Sequence, residues 1–302
     1  MIEEAIYDVL DRYRKNPFRE RFDGSEIVRT IRRFTEASQP ITALFPGCHG
    51  KIANDDLTLG PLPDASEYLC LRMLSSMRDG VRSVYPPGLN VIMVHEGHFY
   101  AGTPLIDGDD GMDEYIAEVR RMIARCGFVT SMALRDFFPG AGNNEECRRR
   151  FLETCCPSFS EISALMAADG DVARLYEHYA QRIRDGFLDV YQARYAEAFA
   201  TFAEFASHQA MVQLRIWIGF RRLLKKYFGD RPLLRFSSVY KSPAVKEQIA
   251  LNYIPGHHLE MPSFNCVVKT ADGSFAYMPR REAVQKGFVV SQLEGYAYFQ
   301  AV

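Results

Sequence analysis

No apolar run in this 302-residue chain approaches the length of a membrane span, which argues against a transmembrane helix. The first ten residues, MIEEAIYDVL, are acidic rather than basic and apolar, so they do not read as a secretory signal. Together these features predict a cytoplasmic protein. Neither sign of charge is in excess: 36 Lys and Arg face 38 Asp and Glu, a net charge of -2. The electrostatic footprint of a nucleic-acid or anionic-membrane partner is therefore missing. The short basic clusters, Arg148 to Arg150 and Arg221 to Lys226, read as solvated helix faces. The seven cysteines show no CxxC spacing, and Cys155 and Cys156 are adjacent. That pattern suits neither a zinc site nor a disulfide framework. Internal repeats and low-complexity segments are also absent.

What is present is an ordinary globular composition, 47% hydrophobic and 25% charged, in a chain long enough for one large or two modest domains. Residues 1–36 carry two helical periodicities, the second opened by Ser25. Ile41 to Phe45 reads as a short buried strand stopped by Pro46 and Gly47, with the loop PGCHGK (46–51) at its carboxyl end. Asp64 and Glu67 have the spacing of an N-cap and its reciprocal partner, and the helix they open is expected to reach about Met77. Asn90 to Val94 is the next strand, followed by the loop HEGHFYAG (95–102). A helix over 112–126 and a strand over Phe128 to Leu134 complete the alternation. Strands alternating with helices predict an α/β fold.

From 141 to 228 the pattern is helical and rich in aromatics, with Gly186 as a plausible break. These aromatics suit either a bundle core or a lid. After 230 strands return: Leu233 to Val239, a hairpin of Ser263 to Thr270 and Ser274 to Met278 around Ala-Asp-Gly, a short helix opened by Arg280, Arg281 and Glu282, and a last strand at Phe288 to Gln292. The expected architecture is a Rossmann-like, mostly parallel twisted sheet (1–140), a helical middle segment (141–228) and a small mixed C-terminal region (229–302) that completes the sheet and the site.

Four groups of residues can carry chemistry. Gly47 and Gly50 let backbone approach a ligand, and Lys51 can face a phosphate or carboxylate; an incidental glycine-rich turn is the plain alternative. His95 and Glu96 end a buried strand and can serve as acid and base if both face one crevice. Strand alternation can equally turn one of them away. Metal binding is conceivable around His95, Glu96 and His98 with His49, His257 or His258 joining, but the HExH spacing is not that of zinc proteases. No metal and no cofactor is therefore assigned. Arg235, in a strand interior, needs a partner or an anionic ligand. Lys246 is a candidate amine nucleophile or a surface lysine. Arg280 and Arg281 suit a phosphate or a solvated helix end.

The stretches FP (45–46), LGPLPDASEYLCLRML (59–74), VYPPG (84–88) and HEG (95–97) resemble the isocyanide synthases of the pyoverdine/dityrosine biosynthesis group. Arg235, Ser237, Lys246, Asp272, Gly273, Arg280, Arg281 and Glu282 follow in the family's order. The resemblance spans about 41–120 and 215–290. It implies a Rossmann-like core without a nicotinamide cofactor. It further implies an enzyme that converts the amine of an amino acid, typically tyrosine or tryptophan, into an isocyanide with a carbon from ribulose 5-phosphate. On that basis Glu96, His95 and Lys246 are the expected catalytic residues, and Lys51, Arg235, Ser237, Arg280 and Arg281 the expected substrate-binding ones.

The chain also departs from the pattern. Gly47 to Lys51 replace a Phe-Lys-Ser-Pro-Asn run, and His95 replaces the serine of Ser-Asp-Gly. Val239 or Tyr240, and the stretch Met261 to Asn265, stand where the family carries histidines. The departures point to altered substrate or chemistry, with metal-assisted catalysis by the new histidines and a non-catalytic binding protein as the alternatives.

Overall fold

The computed structural model describes residues 1–14, 26–52, 54–104, 106, 108–229, 231–237, 248–251 and 265–301. The chain divides into two compact units. The first comprises Met1–Glu96, Asp113–Met132 and Pro232–Val302; the second comprises Gly97–Met112 and Ala133–Arg231.

The first unit is built on a five-stranded parallel sheet: β1 (Ile41–Pro46), β2 (Leu89–Val94), β3 (Val129–Met132), β4 (Leu234–Ser237) and β5 (Gln248–Ala250), in the order β3-β2-β1-β4-β5. Period-two alternation decides the faces. Ala43, Phe45, Val91, Met93, Leu234 and Phe236 are buried. Helices α1 (Ile2–Asp11), α2 (Glu26–Glu36) and α3 (Ala65–Val84) pack together and on these strands. On the other face Thr42, Asn90, Ile92, Thr130 and Arg235 keep some exposure.

Helix α3 starts at the predicted cap. The Asp64 carboxylate accepts from Ser66 N at 2.8 Å, and Glu67 accepts from Asp64 N at 2.9 Å. It runs past the expected end at Met77 to Val84. Gly80 explains the extension. A Cβ there would lie 2.8 Å from the Val9 side chain of α1, so this glycine permits close helix–helix approach and does not stop the helix.

A second, mixed sheet closes the unit: β6 (Cys266–Lys269), β7 (Phe275–Met278), β8 (Val289–Leu293) and β9 (Tyr296–Gln300), in the order β7-β6-β9-β8. The β6–β7 hairpin turns where the sequence places it, with Gly273 at φ 83° and the Asp272 carboxylate accepting from Thr270 Oγ1 and Ser274 N. Strand β9 has no counterpart in the sequence reading. Its hairpin with β8 uses Glu294 (φ 52°) and Gly295 (φ 89°). Two left-handed residues suit such a tight turn, but a glutamate in the first position hides the signal.

The second unit is helical: α4 (Gly97–Tyr100), α6 (Leu134–Phe137), α7 (Asn144–Thr154), α8 (Phe159–Ala168), α9 (Gly170–Gly186), α10 (Leu188–Arg194) and α11 (Phe202–Phe228). Helix α5 (Asp109–Ala124) begins in this unit and continues into the first. Helix α9 ends at the predicted break, Gly186. Phe99 meets Phe137, Phe151 and Phe220 edge to face, and Phe205 gathers Tyr191, Tyr195 and Phe199. Gly219 is required by packing, since a Cβ would lie 3.1 Å from both the Cys156 backbone and the Phe151 ring. Among the described residues no helix is long and apolar enough to cross a membrane.

Candidate functional site

Sheet topology locates the site before any side chain is considered. The chain lays β1, β2 and β3 outward in one direction, then returns to place β4 and β5 on the other side of β1. Open α/β sheets bind ligands outside the carboxyl ends of their strands at such a reversal. Here the reversal falls between β1 and β4, beside the loop 46–51.

That loop is tightly constrained. A Cβ on Gly47 would lie 2.6 Å from the fully buried Phe45 ring, and Gly47 N donates to Val94 O at 3.1 Å. Cys48 (φ 51°) and Gly50 (φ 92°) both adopt left-handed backbone, which costs the cysteine and not the glycine. The two turns send Cys48 and Lys51 inward, where both are buried. Between them His49 stays partly exposed, with 13% of its side chain accessible.

The Nδ1 of His49 lies 3.0 Å from Glu96 Oε2, and the Glu96 side chain is 14% accessible. The first residue comes from the loop after β1, the second from just past β2. A carboxylate beside one imidazole nitrogen orients the ring. His95, one position earlier, points to the other side of the sheet. It is fully buried, its Nε2 is 2.7 Å from Ser131 Oγ, and Ser131 also accepts from Arg120 Nε at 3.1 Å. Strand alternation thus separates the adjacent pair, and His49 takes the place beside Glu96. The sequence signal for His49 was its position in a polar loop at a strand's carboxyl end; nothing in the spacing linked it to Glu96.

Lys51 sits beneath this loop with no exposed side-chain surface. Its ammonium donates to Ser66 Oγ at 2.8 Å and pairs with Asp64 Oδ2 and Glu67 Oε1, each at 3.1 Å. Ser66 Oγ also donates to Asp64, and Tyr115 of α5 donates to Glu67 Oε1 at 3.0 Å. Burial alone would lower the pKa of Lys51; the two carboxylates outweigh it and raise it. Burial pushes Glu67 up in spite of Lys51. Burial and then Glu67 also raise the Cys48 thiol, which keeps it protonated near neutral pH.

Arg235 is half-buried in β4 opposite Leu44 of β1, and its guanidinium has no hydrogen bond or ion pair among the described residues. Ser237 ends β4 and is buried. Arg280 donates to Asp55 O at 3.0 Å, and the amides of Arg280 and Arg281 donate to Leu57 O and Asp56 O. These arginines therefore fasten α12 (Arg280–Gln285) to the segment that precedes α3. In the second unit, His98 Nε2 lies 3.1 Å from Asn144 Nδ2, and Arg148 makes a two-pronged contact with Asp109. Lys246, His257 and His258 lie outside the described residues. Among the described residues no three His, Cys, Asp or Glu side chains come together as a metal site.

A parallel α/β sheet with polar side chains beside its switch point defines a class of protein: the open, wound α/β folds that place ligands outside the strand ends. The particular family follows from comparison. The family model described as "Pyoverdine/dityrosine biosynthesis protein" matches residues 31–290, and the chain belongs to this family. The L-tyrosine isonitrile synthase of Xenorhabdus nematophila is 31% identical over 152 residues, 48% of this chain and 45% of that one. The L-tryptophan isonitrile synthase AmbI1 of Fischerella ambigua is 18% identical over 62% of this chain and 59% of its own. The matches thus span less than two thirds of these curated relatives. The crystal structure of the PvcA protein from Pseudomonas aeruginosa superposes with a TM-score of 0.85 over 100% of both chains at 22% identity, which shows the same fold.

Proposed function

We propose that the protein is a biosynthetic enzyme of the isonitrile synthase type, acting on the amine of an amino acid or amino-acid-derived substrate. The observation that carries this reading is the His49–Glu96 pair, 3.0 Å apart at the carboxyl ends of adjacent strands. The names of its relatives supply the substrate class: tyrosine in one, tryptophan in another. In this reading ribulose 5-phosphate is the carbon donor. Amine and ketone condense to an imine with loss of water, and proton transfers at the adjoining carbons then fragment the sugar, leaving one carbon on nitrogen. Those transfers need a base and an acid within reach of the same carbons. Glu96 and His49 fill these roles as a unit. His95 acts indirectly, by fixing the end of β3 through Ser131.

Arg235 is the proposed anion clamp. An arginine fork suits a carboxylate or phosphate through two parallel hydrogen bonds, and Arg235 is half-buried with no internal partner among the described residues. Ser237, one pleat nearer the strand end, lies on the same face. Lys246 and the Arg280–Arg281 pair remain proposed contributors, Lys246 as a catalytic residue and the arginines as further phosphate contacts.

The test is to incubate the purified protein with the common amino acids and uniformly 13C-labelled ribulose 5-phosphate and search by mass spectrometry for a new isocyanide. Incorporation of a single labelled carbon is expected. An isocyanide without label would remove the sugar from the reading. Consumption of no amino acid, together with binding of one, would favour a non-catalytic role.

A further inference from the structure

We propose that Lys51 is the positioning residue of the His49–Glu96 pair, acting from beneath the loop and never touching substrate. The inference rests on the reading of that pair as the acid/base unit.

The argument begins with what Lys51 is able to reach. Its side chain has no exposed surface, and its ammonium donates to Ser66 and pairs with Asp64 and Glu67 at the start of α3. A lysine with no exposed surface and two carboxylates for partners serves as a structural cation. Stability alone is a weak reason to bury it. A buried ion pair is often no better than an apolar side chain of the same size, whereas its geometry fixes which segments meet. Here the segments are the loop after β1 and the capping box of α3. Tyr115 extends the brace to α5 through its bond to Glu67.

His49 lies two residues from this anchor. The intervening Gly50 has left-handed backbone, as does Cys48 on the other side. A loop with two glycines in four residues (Gly47 and Gly50) is free to wander unless tied down at both ends. Gly47 N to Val94 O is the first tie; the Lys51 ammonium is the second. With both in place the loop carries His49 Nδ1 to 3.0 Å from Glu96 Oε2. The capping box thus has two uses, since the carboxylates that start α3 also receive the lysine that sets the loop.

The informative variant is Lys51→Met/Glu67→Gln, which removes the cation without leaving both carboxylates bare. Lys51→Met alone leaves them bare and is made in parallel. Circular dichroism confirms folding, and two readouts follow. The long-range 1H–15N spectrum of the His49 imidazole reports its contact with Glu96, and steady-state kinetics of isocyanide formation separates kcat from KM. The expected result is a His49 spectrum changed from wild type and a fall in kcat of about 100-fold with KM unchanged, the scale of effect for misplacement by an ångström. A wild-type His49 spectrum in the folded double variant overturns the inference, whatever the rate. His49→Gln and Glu96→Gln serve as controls. If both retain full turnover, the acid/base reading falls, and the imidazole spectrum still decides whether Lys51 positions the ring.

Discussion

His49 and Glu96 meet at 3.0 Å although 46 residues separate them, because each leaves the carboxyl end of one of two adjacent parallel strands. The in-register pairing of Pro46 with Val94 brings the two loops side by side. Each side chain retains a small exposed surface, so the pair is shielded from bulk water yet open to a ligand. Replacing either member by glutamine keeps volume and polarity while removing proton transfer. Glu96→Gln and His49→Gln are each expected to slow turnover by about 10²–10⁴-fold with little change in melting temperature. The double variant is expected to be scarcely worse than either single one, because the two act as a unit. Rates for the three proteins, measured at one pH, check this.

Arg235 offers a different kind of test. Its guanidinium has no partner among the described residues, so truncation breaks no internal ion pair there. Arg235→Met is expected to raise KM for the anionic substrate by tenfold or more, from the loss of a charge-assisted hydrogen bond of about 1.5–3 kcal/mol. Arg235→Lys is expected to recover little, since a lysine cannot reproduce the two-pronged fork. If methionine leaves KM unchanged, the clamp lies elsewhere.

How much of this was legible in the sequence depends on the range of the signal. The capping box of α3, the strands over 41–46 and 89–94 and the Thr270–Ser274 turn follow from local chemistry, and all were visible. The extension of α3 past Met77 was not, because Gly80 is explained only by Val9, 71 residues away. Lys51 shows the same limit. A lysine after two glycines suggests an exposed anion contact, and only the packed structure reveals that its partners are Asp64 and Glu67. The pairing of Glu96 with His49 in preference to His95 likewise depends on strand register, which sequence spacing does not encode.

Gly47 is sterically constrained by its own neighbour. A methyl group there would lie 2.6 Å from the Phe45 ring, which is fully buried. Gly47→Ala is expected to destabilise the fold by about 1–3 kcal/mol, the usual cost of overpacking. Urea denaturation would show it as a lowered midpoint with an unchanged slope.

Two carboxylates give the stability opposite responses to pH. Glu67 is raised, chiefly by burial, so the folded chain holds its proton more tightly than the unfolded chain, whose value is about 4.3. Its contribution is present below that value and is lost as pH rises through the folded pKa. Asp109 is lowered, chiefly by its hydrogen bonds from Arg148. Its contribution is present above the ordinary carboxylate value and is lost as pH falls through the folded pKa. Urea midpoints should therefore fall less as pH rises above the ordinary carboxylate value in Glu67→Gln than in the wild type, and lose part of their acid-side decline in Asp109→Asn.

Two buried tyrosines should respond in opposite ways to losing their hydroxyls. Tyr115 is fully buried and donates to Glu67 Oε1 at 3.0 Å. Removing that donor leaves a buried carboxylate oxygen with one fewer partner. Tyr115→Phe is therefore expected to cost about 1–3 kcal/mol. Tyr277 packs among Ala65, Val267 and Tyr298, and its hydroxyl is buried without a hydrogen-bond partner among the described residues. That hydroxyl was desolvated on folding with no bond in return, so Tyr277→Phe is expected to be neutral or stabilising. Urea denaturation of the two single variants and the double variant measures both effects. Equal destabilisation by the two substitutions would mean that Tyr277 has a partner in solution, most simply a buried water bridging it to the Asp64–Glu67 carboxylates.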